Sequence, residues 1–330
     1  MTPEVHPVDL LGAYVMDACS DEDRAAVAGH VAHCTGCAAE TDRLRTAAEW
    51  VGEIAERRPP RELRARALAA ARAARPPCDA EIEGLLAPYV AQVAAFDRLL
   101  GGLAAPLWLR PVGPHATVRA LVTHLRANDT MVAAATGAGD GIVRRGRPEG
   151  STVDVRRQWR SQADELVRTV AAVRAPALDR PAPLAGRVPM RRPLREVLTQ
   201  RAFETWIHAD DVRSLLALPP EPPPPRQLRN IADFALRLLP GAMDAAGRGR
   251  PHQVIRLTLT GPGGGERLVA LSAATPTTGS TVVGEVALAA ELFCRLVAGR
   301  ATHDMAGVAV GGDATAAADF LGVAATMGCD

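Results

Sequence analysis

The stretch HVAHCTGC, His30 to Cys37, constrains the front of this chain more than any other feature. Two cysteines two residues apart, with His30 four residues before the first, form the pattern HxxxCxxC. The preceding run, DEDRAAVAGHVAHC, follows a capping-box-like start at Ser20 and Asp23 and reads as a helix. On one helix, His30 and Cys34, four residues apart, leave the same face, and the helix end turns Cys37 back toward them. Thiolate sulfur and imidazole nitrogen together suit zinc, which takes four ligands when its role is structural. The motif supplies three. His6, His33 and Cys19 are the candidates for the fourth, and His6 is favoured because the start of the first helix can fold back beside the CxxC turn. His33 adjoins Cys34 and points off the ligand face, while Cys19 sits close to a turn.

The 330 residues exceed one ordinary core, so two or three domains are expected. Lys and Arg (38) balance Asp and Glu (37), which argues against a general nucleic-acid or anionic-membrane surface. The first 30 residues do not have the pattern of a signal peptide, and no run of 18 apolar residues lacks charge, so a cytoplasmic location without a membrane span is expected. In such a compartment the six cysteines are ligands, reactive thiols or core fillers before they are a disulfide framework. Cys34 and Cys37 are the one close pair; Cys19, Cys78, Cys294 and Cys329 read as small buried hydrophobes.

Composition divides the chain into three segments. Residues 1–76 carry short helices and a Pro-bounded, Arg-rich helix, PPRELRARALAAARA, with a boundary near Pro76 and Pro77. Residues 80–218 hold four long amphipathic helices, the pattern of an antiparallel bundle. The stiff run PPEPPPP, residues 219 to 225, ends that pattern. Residues 226–330 open with a helix. A hairpin signal around GPGGG and two strand-helix units follow, as in a small mixed sheet.

A second donor set lies in the bundle. Glu204 and His208, in FETWIHADDVR, stand at i and i+4 on one helix face, and His124 stands in VRALVTHLRAND. A histidine on a bundle helix is more often a core residue than a ligand; beside an ExxxH helix, His124 becomes the third donor. Two imidazoles and a carboxylate leave an open position for water or a thiol, and a metal-bound thiol is held as its reactive thiolate.

His6, LLGAYVMDA, DEDRAAV and HVAHCTGC together resemble the zinc-binding anti-sigma factor family over about residues 1–76. That resemblance implies His6, His30, Cys34 and Cys37 as zinc ligands and an extracytoplasmic-function sigma factor as partner. VRALVTHLRANDTMVAA and QRAFETWIHADDVRSLL resemble the mycothiol-dependent maleylpyruvate isomerase family, and the similarity extends over about residues 80–330. It implies a mainly α chain in which a DinB-like four-helix bundle follows the zinc domain and precedes a small α/β domain. It also implies a divalent metal, zinc by preference, on His124, Glu204 and His208, and mycothiol, an actinobacterial low-molecular-weight thiol, as cosubstrate. A basic residue of the C-terminal domain assists in that family, and Arg295 or Arg300 would serve here, Arg300 being taken as the candidate catalytic residue.

Two functions follow from these readings. In one, the zinc domain masks a sigma factor while the rest of the chain acts as sensor or enzyme. In the other, a mycothiol-dependent isomerase or S-transferase carries the zinc domain as a docking module. Neither involves direct contact with nucleic acid or membrane.

Overall fold

The computed structural model describes residues 6–55, 60–73, 79–136, 152–186, 189–274, 279–302 and 307–328. Cys78, Cys329 and the boundary prolines Pro76 and Pro77 lie outside the described residues. Contacts divide the chain into two compact units, Met1–Pro76 and Pro77–Asp330. The fold is mainly α, with short strands confined to the second unit.

In the first unit, α1 (Val8–Val15), α2 (Asp21–Val31) and α3 (Thr35–Ala55) pack on one another, and α4 is Arg61–Ala73. Ser20 caps α2 by accepting the Asp23 N–H, with three acidic residues in the first turn where the helix dipole favours them. The buried apolar side chains here are Leu11, Val27 and Cys37, flanked by half-buried Leu10, Tyr14, Val31, Cys34 and Leu44.

One expectation is corrected. His30 and Cys34 do not share a helix, because α2 ends at Val31. The His30 carbonyl accepts both the His33 and the Cys34 N–H, which closes the turn, and the Cys34 carbonyl then accepts Ala38 N–H to open α3. The small residues Thr35 and Gly36 follow Cys34 into the first turn of α3.

In the second unit, α5 (Ala80–Gly101), α6 (Val118–Ala135), α7 (Thr152–Ala171) and α8 (Leu194–Leu215) form a bundle in which α7 and α8 each pack against both α5 and α6. Asp79 and Thr117 cap α5 and α6. The bundle core includes Phe96 and Trp159, whose rings meet edge to face at 5.3 Å. A short antiparallel pair, β1 (Pro181–Leu184) and β2 (Met190–Pro193), leads into α8. Its proline-rich sequence carries no alternation, which is why sequence reading does not reveal it.

Beyond the Pro run, α9 (Pro225–Ala245) precedes β3 (Gln253–Thr260), β4 (Gly265–Ala270), β5 (Thr281–Ala289), α10 (Ala290–Val297), β6 (Ala309–Gly312) and α11 (Ala314–Ala324). The strand order is β4-β3-β5-β6, with β3 and β5 parallel and both edge strands antiparallel to their neighbours. At the β3-β4 turn, Gly263 has φ +81°, and a Cβ there would lie 2.6 Å from the Pro225 carbonyl, so the turn closes against α9 only with glycine.

Helix α8 is buried along nearly its whole length. Leu194, Val197, Leu198, Ala202, Ala209 and Val212 enter the bundle core. Phe203, Trp206 and Ile207 enter the core formed by α9–α11 and the sheet. The central helix therefore ties the bundle to the α/β part. Trp159→Ala should lower the stability of the second unit by roughly 3–5 kcal/mol in chemical denaturation, whereas exposed Val153→Ala should stay within about 0.5 kcal/mol.

Candidate metal centres

The first centre gathers donors from three helix ends. His6 precedes α1, His30 lies in the last turn of α2, Cys34 directly precedes α3 and Cys37 lies in its first turn. One ligand atom from each of the four lies within 4.8 Å of every other. His6 Nδ1 stands 3.1 Å from His30 Nε2, 3.6 Å from Cys34 Sγ and 3.5 Å from Cys37 Sγ. Bonds of about 2.0–2.1 Å to nitrogen and 2.3 Å to sulfur at tetrahedral angles place N and N about 3.3 Å apart and N and S about 3.6 Å apart. The four side chains thus fit zinc without rearrangement. Both sulfurs sit at the N-terminal end of α3, where the helix dipole favours negative charge. His33 turns away to the Gly29 carbonyl, at 3.0 Å, and Cys19 lies against the Leu10 carbonyl.

The second centre lies in the other unit. His124 comes from α6, and Glu204 and His208 from α8. The His124 and His208 rings are 5.6 Å apart. His115, from the turn before α6, lies 5.0 Å from His124 and 4.9 Å from His208, ring to ring. His115, His124 and His208 form the group whose ligand atoms all lie within 4.8 Å. Glu204 is not in that group. Its Oε1 is 2.7 Å from His124 Nε2 and accepts from Asn128 at 2.8 Å, and its Oε2 accepts from Arg201. Arg201 is fully buried and donates its Nε to Asp129 at 2.9 Å. Burial pushes the Asp129 carboxyl upward, a rise that Arg201 only partly offsets.

Sequence reading missed His115. It stands in a Gly-Pro turn with no helical phase, so no face argument reaches it. The turn is closed by mutual backbone hydrogen bonds between Val112 and His115. Gly113 within it has φ +50°, and a Cβ there would lie 2.8 Å from the Asp211 carboxylate.

Asp211 links this centre to the α/β part. It bonds His208 Nδ1 at 3.1 Å and accepts the Arg300 guanidinium at 2.8 and 3.1 Å. Burial acts to raise its carboxyl, but His208 and Arg300 outweigh that and hold it below the usual carboxylate range. Arg300 is therefore placed behind a histidine partner. Arg295 pairs with Asp210 and Glu291 and lies over the Trp206 ring. Gly113, Pro114, Asp210, Asp211, Arg295 and Arg300 line a cleft of about 430 Å³. Cys294, buried, has its thiol pushed up to about 12 and is chemically quiet.

Residues 89–213 match the family model described as mycothiol maleylpyruvate isomerase N-terminal domain, and residues 8–38 match that described as "Putative zinc-finger". The first match contains His115, His124, Glu204 and His208; the second contains His30, Cys34 and Cys37. Two solved structures are similar, a mycothiol-dependent maleylpyruvate isomerase and a histidine-to-alanine mutant of it. They share 15% and 16% identity with this chain, cover 69% of it and 92% of their own length, and have TM-scores of 0.47. No curated protein matches. The chain joins a zinc-finger segment to a mycothiol maleylpyruvate isomerase-like domain.

Because so little of the first unit is apolar core, its zinc should carry its folding. A Cys34→Ala, Cys37→Ala variant of the full chain should contain one metal equivalent fewer and show reduced helical circular dichroism, and limited proteolysis should cut first between residues 6 and 55.

Proposed function

We propose that this chain is a cytoplasmic, zinc-dependent anti-sigma factor that sequesters an extracytoplasmic-function sigma factor, with its second domain sensing a low-molecular-weight thiol of the mycothiol type. The observation that carries this reading is the mismatch in the first unit between a closed four-donor zinc set and large apolar side chains left outside. Trp50 is 70% exposed, and Val51, Leu63 and Leu68 on α3 and α4 are exposed with it. A small domain stapled by metal rather than by a core can present its apolar residues to a partner helix surface. The zinc-finger match over residues 8–38 supports the same reading. Among the described residues no helix is long and apolar enough to cross a membrane.

For the second domain, the reading takes the histidine cluster as a divalent-metal site, with Glu204 against the His124 ring. When bound there, the metal would hold a thiol as thiolate. Asp211 orients His208, Arg300 neutralises Asp211, and the adjacent cleft supplies room for a polar small molecule beside the ion-paired Arg295 and Arg300. That cleft is also what favours the second reading, a mycothiol-dependent isomerase or S-transferase with a zinc docking domain, in which Arg300 would serve the reacting ligand.

Binding of the zinc-loaded chain to the cognate sigma factor, measured by calorimetry, tests the first reading. Trp50→Asp should weaken that binding roughly 30-fold, the ~2 kcal/mol of an interface hot spot, with zinc content unchanged. Absence of binding by the zinc-loaded wild type would remove the regulatory reading. For the second domain, titrating mycothiol into the cobalt-substituted Cys34→Ala, Cys37→Ala chain, which lacks the first centre's own thiolates, should produce a sulfur-to-metal charge-transfer band that a further His208→Ala abolishes; the same band with and without His208 would refute thiol binding at this centre.

A further inference from the structure

We propose that the second unit carries a further small-molecule site, separate from the histidine cluster, that takes an apolar monocarboxylate such as a medium-chain fatty acid. The site depends on neither metal.

A cavity of about 860 Å³ opens between the β1-β2 pair and the start of α8 on one side and α9, the end of β4 and the segment after α11 on the other. Small-molecule sites span roughly 300–1,000 Å³. The cavity shares no lining residue with the cleft at Asp210, Asp211 and Arg300. Its walls are largely apolar, with Phe203, Phe234, Leu238, Val297 and Met327 among them. Phe234 is buried yet stands in neither apolar core of this unit, and turns to the cavity instead. On α9, Ala242 and Ala245 keep the wall low where larger side chains would fill the space. Gln200, buried on α8, holds the rim, because its amide bonds both the N–H and the carbonyl of Ala185.

Charge selects the occupant. The charged side chains lining the cavity are Arg192 and Arg237, and among the described residues no acidic side chain lines it. Both guanidiniums donate Nε–H to Glu196, at 2.7 and 2.9 Å. Burial acts to raise the Glu196 carboxyl, but the two arginines outweigh that and hold it below the usual carboxylate range, so it stays ionised at neutral pH. Two cations therefore share one anion, and one positive charge is left over. The terminal NH2 groups of both arginines have no other partner among the described residues. A single carboxylate balances the surplus charge and matches the guanidinium fork, while the apolar walls take the rest of the molecule.

Calorimetric titration of the zinc-loaded full chain with decanoate tests this site. One decanoate per chain is expected. Decanol, which has the same chain without the charge, should bind roughly 10–100-fold more weakly, the range of hydrogen bonds to a charged group. Arg237→Gln, at a half-exposed position, should weaken decanoate by that same order and leave decanol unchanged. Ala242→Phe, which fills the cavity, should abolish binding of both while circular dichroism stays native. If that variant misfolds, Arg237→Gln and the decanol comparison carry the test alone. No decanoate binding by the wild type, equal affinity for decanoate and decanol, unchanged decanoate affinity in Arg237→Gln, or full binding by a folded Ala242→Phe variant would each overturn the site.

Discussion

Helix α8 has no solvent face for most of its length, and the organisation of the second unit follows from that. A helix buried all round must be apolar or must pair every charge it carries. This one does both by sector. Its apolar residues split between two cores, and its polar residues, Arg201, Glu204, His208 and Asp210, meet partners from α6 and the α/β part. Arg201 is neutralised by Asp129 and Glu204, and His208 is reached by Asp211, which Arg300 also binds. The functional groups are thus set by the same contacts that satisfy a buried helix, and their positions are fixed by packing rather than by loops.

The first unit solves the opposite problem. It has three short to medium helices around a handful of apolar side chains, too small a core to hold alone. With zinc bound, the four donors brought in from helix ends would replace the missing core with coordination bonds, and Cys37 would contribute to both. Its apolar residues are spent largely on the outside, at Trp50, Val51, Leu63 and Leu68, where they can serve a partner.

Much of this could be read from the chain. The spacing of His30, Cys34 and Cys37 is local, and local spacing survives a helix break: α2 stops at Val31, yet the turn still brings both thiols beside His6. The four bundle helices were legible from their amphipathic period, and Glu204 and His208 from i, i+4 geometry. What sequence could not reveal depends on long-range contacts or on irregular backbone. His115 reaches the cluster from a Gly-Pro turn. Arg201, three residues before Glu204, is fully buried because α8 is, which no local pattern marks. The β1-β2 pair is written in prolines and arginines, without the alternation that marks a strand.

The proposed function requires two metal sites in one chain, one closing a small domain and one open within a bundle. Native mass spectrometry of the purified chain tests it most directly. Two metal ions per chain are expected, with the ion of the second unit leaving first under a mild chelator because its coordination is incomplete. A single ion per chain, or two ions that leave together at one rate, would contradict it.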